Sequence, residues 1–229
     1  MTVRYALYAA PPPDSALWRF GSAVIGHDAA LGMDAAFPEG APFDAPDWPA
    51  LTADPRRYGF HGTLKAPFPL AEDRSEAELV DAAAAFAEAR GTFVVPRLAV
   101  SLLKSFVALV PEVPSAPLDG LAADCVRHFE PFRAPLSGSD RARRLAAPLT
   151  DRQKAHLDAW GYPYVFEDFR YHMTLTGSLP EIRREPVRSA LEGLYGPIAA
   201  PFAVDALAVF RQDRREDRFT VLARLPFGG

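Results

Sequence analysis

The stretches YGFHGTLKAPF (58–68) and FRYHMTLT (169–176) decide how this chain is read. Both read as strands, the first ending at Pro67. Each carries His-x-Thr-Leu: His61, Thr63 and Leu64 in the first, His172, Thr174 and Leu175 in the second. On a strand, residues i and i+2 project from one face roughly 7 Å apart. Each stretch therefore offers an imidazole and a hydroxyl side by side, while its leucine points the other way and anchors the strand in the core. The chain has five histidines and eight threonines. Two histidines with Thr at +2 is roughly a 1% coincidence, so the doubling counts as signal.

Outward from these strands, residues 3–10 read as a strand closed by Pro11–Pro13. Asp14 then caps a helix with Leu17, Phe20, Gly21 and Val24 on one stripe. Residues 27–57, rich in Pro and Asp, read as a long loop, either a lid or an insertion. Ser75 and Glu78 fit a capping box for a helix to Arg90, with Leu79, Ala82, Ala83 and Phe86 buried and Gly91 as the stop. Strands at 93–100 and 105–111 precede a helical pattern from Leu118 to Phe129. Residues 133–149 read as irregular and basic. Thr150 and Gln153 cap a helix ending at Trp160–Gly161, Pro186 opens another through Tyr195, and strands at 202–211 and 218–225 close the chain.

The order repeats. ALYAAPPPDSAL (6–17) matches ALVPEVPSAPLDGL (108–121) as strand, prolines, helix. The two His-x-Thr-Leu motifs are 111 residues apart, as are the helices at 75 and 186, and the closing strands near 107 and 221 are offset by 114. We read a single domain over 1–229 with an internal pseudo-twofold repeat, its approximate halves being 1–111 and 112–229. Strands joined by short turns imply antiparallel sheets with helices on one side, an α+β fold.

Composition bounds the function. The chain has 229 residues, of which 49% are hydrophobic and 24% charged, enough for a sizeable core. Its net charge of −4 counts against a general nucleic-acid binder. Cys125 is the single cysteine, which excludes an internal disulfide and a cysteine metal cluster and reads as a small core residue. The amino-terminal sequence lacks a signal-peptide pattern and no apolar run approaches a membrane span, so the expectation is a cytoplasmic protein with no membrane partner. There is no H-x-H, H-E-x-x-H, G-x-x-x-x-G-K-[ST] or G-x-G-x-x-G, so neither a metal nor a cofactor is expected. His27, His128 and His156 read as structural. Arg141, Arg143 and Arg144 read as a solvated basic loop rather than a phosphate clamp.

Two His-x-Thr strands related by a pseudo-twofold set two imidazoles and two hydroxyls around one cavity. That suits in-line displacement at phosphorus. One neutral histidine takes a proton from water, the other, protonated, gives one to the leaving oxygen, and the hydroxyls hold the equatorial oxygens. No metal is required. On a regular strand, Lys65 shares a face with His61 and Thr63, and Arg170 with His172 and Thr174. Each half thus adds a cation for an anionic substrate. Tyr58 and Tyr171 flank the motifs on the opposite parity, where they either line the cleft edge, completing the expected substrate-binding set, or simply pack.

The paired motifs in a duplicated α+β chain resemble the 2H phosphoesterase superfamily, which includes RNA 2′,3′-cyclic phosphodiesterases and ligases. The segments YGFHGTLKAPF (58–68) and PLTDRQKAHLDAWGYPYVFEDFRYHMTLTG (148–177) are similar to a bacterial branch found with phosphonate-utilisation genes. The resemblance implies a bilobal fold with the motifs facing across a central groove, and lobes that exchange elements. It also implies that His61, Thr63, His172 and Thr174 are catalytic. The substrate it implies is a small cyclic phosphodiester, such as the ribosyl 1,2-cyclic phosphate formed in phosphonate breakdown. Two alternatives stay open: an RNA 2′,3′-cyclic phosphodiesterase or ligase, and a non-catalytic module that binds a phosphorylated metabolite. The sequence leaves the oligomeric state undetermined.

Overall fold

The computed structural model describes residues 2–229. Its strands are β1 (Arg4–Ala9), β2 (Gly62–Phe68), β3 (Phe93–Val95), β4 (Leu98–Leu103), β5 (Phe106–Pro111), β6 (Met173–Thr174), β7 (Phe202–Val204), β8 (Ala206–Gln212) and β9 (Thr220–Pro226). The helices are α1 (Ala16–Ile25), α2 (Trp48–Leu51), α3 (Ala53–Tyr58), α4 (Glu76–Glu88), α5 (Ala116–His128), α6 (Gly138–Leu145), α7 (Asp151–Trp160) and α8 (Glu181–Tyr195). Seven strands form one sheet in the order β4-β5-β6-β2-β1-β8-β9, while β3 and β7 form a separate ribbon. All pairings are antiparallel. The fold is α+β.

The order is symmetric about the β6–β2 seam. Outward on one side run β6, β5 and β4, and on the other β2, β1 and β8. These correspond pairwise to the elements that repeat in the sequence. The halves also interleave: β5 of the first lies beside β6 of the second, and β8 of the second beside β1 of the first.

Alternation along the strands divides the buried residues between the two faces. Tyr5, Leu7 and Ala9 of β1, with Leu207 and Val209 of β8, join the main core. That core is closed by Leu79, Ala83 and Phe86 of α4, Leu118 and Leu121 of α5, and Val187 and Leu191 of α8. Ala6, Tyr8, Ala208 and Phe210 point the other way, into a smaller cluster with Trp18 and Phe219. The His-x-Thr side chains lie on this second face.

Local chemistry explains the element ends. The Ser75–Glu78 capping box forms at α4, and the Thr150–Gln153 box forms at α7, which ends on Gly161 at φ 69°. The first helix is capped by Ser15, whose hydroxyl accepts from the Trp18 amide, rather than by Asp14.

Other segments differ from the sequence reading. Residues 27–57 contain α2 and α3, each too short to show a period, tied down by bonds from Trp48 Nε1 to the Val24 carbonyl (3.1 Å) and Arg56 Nε to the Ile25 carbonyl (2.8 Å). Residues 133–149 contain α6, whose polar composition hides its helicity. α8 begins at Glu181, and Pro186 lies inside it, where it forfeits one intrahelical bond. The expected strand 93–100 is split between the two sheets, and the strand at 169–176 shrinks to Met173–Thr174. Past Thr174 the chain bends over β5: the Leu175 amide donates to the Val107 carbonyl (2.9 Å) and the Thr176 hydroxyl accepts from the Val107 amide (3.0 Å).

His27, buried, is structural as expected. Its Nδ1 and Nε2 each lie 3.0 Å from a carbonyl oxygen, of Met33 and Phe219 respectively. Among the described residues no helix is long and apolar enough to cross a membrane.

Gly21 of α1 sits against the ring of Phe60, the residue before His61, and a β-carbon there would run into that ring. Gly21→Ala is expected to cost about 1–3 kcal/mol of stability through overpacking, measured by urea denaturation. An unchanged denaturation midpoint would contradict this packing.

Candidate active site

The β2–β6 pairing builds the site. Gly62 is the register partner of Met173. Extending that antiparallel register by one residue sets His61 against Thr174 and Thr63 against His172. Each histidine thus faces the other motif's threonine, and the two histidines stand on a diagonal, with backbones about 7–8 Å apart by sheet geometry. The four side chains line a single cleft of about 440 Å³, together with Tyr8, Tyr58, Phe106, Arg144, Tyr162 and Thr176, among others.

Both imidazoles are oriented by the same device. His61 Nδ1 lies 2.8 Å from the Gly59 carbonyl, and His172 Nδ1 lies 2.8 Å from the Arg170 carbonyl. In each motif the acceptor is the backbone two residues upstream. A carbonyl can only accept, so Nδ1 carries a proton and Nε2 is left as the basic nitrogen of the neutral ring.

The surroundings of the two rings differ. His61 stacks on Tyr8, with centroids 3.6 Å apart and planes at 15°, and its Nε2 lies 3.1 Å from the Thr63 hydroxyl. Burial pushes its pKa down from the usual 6.5 to about 3, against the pull of the Gly59 carbonyl; the charge of His172 lowers it further. Among the described residues the one aromatic ring beside His172 is Phe106, tilted by 55° at 5.8 Å. His61 is therefore held neutral against the buried Tyr8 ring, and His172 has no such stacked partner among the described residues.

Arg144 supplies the cleft's positive charge. Its guanidinium lies 4.7 Å from the centre of the Tyr162 ring, and it forms no ion pair among the described residues. Its Nε is buried with no hydrogen-bond partner. Burial lowers its pKa, opposed by the nearby tyrosines. An oxyanion entering the cleft would satisfy both the charge and the orphaned donor.

Three of the four expected substrate-binding positions are corrected. Lys65 does not reach the cleft. Leu7 pairs with Lys65 but Tyr8 pairs with Thr63, so Leu64 is an extra residue, and this bulge turns Lys65 to the opposite face. Its ammonium is 3% exposed and donates to Glu130 (2.8 Å) and the Val126 carbonyl (3.1 Å). Burial lowers its pKa and Glu130 opposes the shift. Arg170 is exposed and outside the cleft lining; it contributes its carbonyl, not its side chain. Tyr171 shares parity with Met173 and Leu175 and packs in the main core. Tyr58 does line the cleft.

Sequence reasoning missed Tyr8 and Tyr162, which carry no motif, and discounted Arg144. For Tyr8 a signal existed: its position on β1 has cleft parity once β1 is paired with β2. Among the described residues no three His, Cys, Asp or Glu side chains converge in a metal-binding group.

A family model described as "Protein of unknown function (DUF1045)" matches residues 63–220. The chain is similar to a ribose 1,5-bisphosphate phosphokinase PhnN of Janthinobacterium sp. (strain Marseille), 40% identical over 237 residues covering 99% of this chain and 51% of that protein. It is also similar to the protein of that name from Laribacter hongkongensis (strain HLHK9), 39% identical over 184 residues covering 79% of this chain and 41% of that one. The chain thus spans about half the length of the curated relatives it matches. Among solved structures it is similar to Escherichia coli LigT complexed with 3′-AMP, with a TM-score of 0.46 and 14% identity over the whole of both chains. A conserved protein of unknown function from Agrobacterium tumefaciens str. C58 gives a TM-score of 0.44 at 14% identity, covering 98% of this chain and 86% of that one.

The depressed pKa of His61 sets a pH dependence. Folding favours its neutral form, so its contribution to stability is complete above about pH 6.5, the unfolded value, and declines as pH falls toward 3. In an NMR titration of the free protein the His61 ring is expected to remain neutral at pH 5. A His61 midpoint near 6.5 would contradict the partly buried, stacked environment.

Proposed function

The chain belongs to the DUF1045 family, and we propose that it is a phosphodiesterase that opens small cyclic phosphodiesters by two-histidine acid–base catalysis. The observation that supports this most is the meeting of both His-x-Thr pairs in one cleft.

In this reading the phosphodiester anion lies over the β2–β6 seam between the two imidazoles, its non-bridging oxygens held by Thr63, Thr174 and Arg144. His61, neutral in the free protein, accepts a proton from the attacking water at Nε2. The bound anion raises its otherwise low basicity. The water oxygen forms a bond to phosphorus as the opposite P–O ester bond breaks in line. His172, protonated, donates from Nε2 to the departing alkoxide. The product is a ring-opened phosphate monoester, and both histidines return to their starting states by proton exchange with solvent. Two acid–base groups on opposite sides of one anion favour turnover over a binding-only module, since binding alone needs neither.

The relatives are named for a kinase acting on ribose 1,5-bisphosphate. This sequence has no G-x-x-x-x-G-K-[ST] phosphate loop, so we assign the phosphokinase to the part of those longer proteins that lies outside the shared region. A hydrolase for a ribosyl 1,2-cyclic phosphate fits beside such a kinase. Breaking the P–O2 bond yields a ribose 1-phosphate ester, the class of compound to which that kinase's substrate belongs. This hydrolysis needs no metal.

With cyclic phosphates of ribose or of nucleosides at neutral pH, turnover is expected to persist in excess chelator. His61→Ala and His172→Ala should each lower kcat by about 10²-fold or more, and Arg144→Ala should raise KM. Full activity in either histidine variant would sink the mechanism.

A further inference from the structure

Beside the cleft lies a second cavity of about 410 Å³, and Arg144 and Pro67 line both. Its walls come from the start of β1, the end of β2, α6 with the segment before it, and the β8–β9 turn. Six arginines line it, against two carboxylates, Asp140 and Glu216. In a chain with a net charge of −4, this is a marked local excess of cations.

The pairing within the cavity leaves that excess uncompensated. Arg143 and Arg215 share one carboxylate oxygen of Asp140, at 2.8 and 2.6 Å. Arg133 is held by Glu130 (2.5 Å). Arg4 is bonded to the neutral Gln212 side chain. Arg214 and Arg144 have no ion-pair partner among the described residues. The guanidinium of Arg4 is pushed below its usual pKa by burial first, with the charges of Arg215 and Arg143 adding to that. Burial alone would raise the Asp140 carboxyl, but Arg215, Ser137 and Arg143 hold it below its usual range, so it remains a shared counter-ion. Like charges gathered around a concavity repel in its absence, and a multiply charged oxyanion relieves that repulsion.

We infer that this cavity is a second anion subsite, which takes a terminal phosphate monoester on the substrate whose cyclic phosphodiester occupies the His61–His172 cleft. The inference rests on the cyclic phosphodiesterase reading above and narrows it to substrates with two phosphates on one small scaffold. Arg144, at the junction, contacts both ends, while Arg214 and Arg143 serve only the monoester. A phosphorylated pentose carrying a cyclic phosphate has this charge pattern, with its two phosphates only a few bonds apart.

The test has a catalytic arm and a binding arm. In the first, kcat/KM is compared for ribose 1,2-cyclic phosphate and its 5-phosphorylated counterpart. The phosphorylated compound is expected to be preferred by tenfold or more, on the order expected for charge-assisted hydrogen bonds, and this preference should collapse in Arg143→Ala/Arg214→Ala. Equal kcat/KM for the two compounds overturns the inference while leaving the phosphodiesterase reading intact. So does a preference for an oligonucleotide ending in a 2′,3′-cyclic phosphate, which would reassign the arginines to a nucleic-acid backbone.

In the binding arm, calorimetry measures ribose 5-phosphate against ribose on the wild type and on the double variant. Binding that requires the phosphate and is lost in the double variant supports the subsite even if no cyclic phosphate is turned over, the result that would defeat the catalytic reading alone. No difference between the two sugars overturns the subsite.

Discussion

The site depends on one backbone register, Gly62 of β2 against Met173 of β6. Side chains alternate with a period of two, so a one-residue slip would send a His-x-Thr pair into the helix-packed core and its leucine into the cleft. Several features fix the register. Leu64, Met173 and Leu175 are buried on the helix side. The backbone at Gly62 abuts the Tyr171 ring, leaving no room for a β-carbon. β5 holds the other edge of β6 through Thr174 and Met173. A two-residue strand can be this well specified because it lies inside a seven-stranded sheet, paired on both sides, rather than at an edge.

From that seam the fold builds outward in two matching directions, and its asymmetries follow from what covers each motif. β1 brings Tyr8 over His61, whereas the ring near His172 is Phe106, tilted and farther away. Two motifs alike in sequence thus acquire unlike surroundings from their neighbours. Identical histidines in identical surroundings would titrate together. The surroundings of His61 hold its ring neutral, and a division of acid and base roles between two histidines needs unequal surroundings of this kind.

Much of this was legible in the sequence. The two motifs, both capping boxes and the repeat spacing each rest on local rules, and they led to the antiparallel α+β architecture and to the four central residues. What was not legible was non-local. The side of Lys65 depended on a bulge at Leu64, which only the pairing of β2 with β1 defines. The absence of the Arg170 side chain from the cleft has the same origin: regular parity was extrapolated beyond the two residues that are strand. Arg144 looked like its neighbours Arg141 and Arg143 until tertiary contacts distinguished them. Those two find Asp158 and Asp140, and Arg144 finds only the Tyr162 ring.

The most direct measurement of the central claim is a crystal structure with orthovanadate, a mimic of five-coordinate phosphorus. The account predicts one vanadate over the β2–β6 seam, with Nε2 of His61 and Nε2 of His172 both within about 3 Å of its oxygens, on opposite sides of the vanadium. Vanadate held by one histidine alone, or bound only away from both rings, would contradict it.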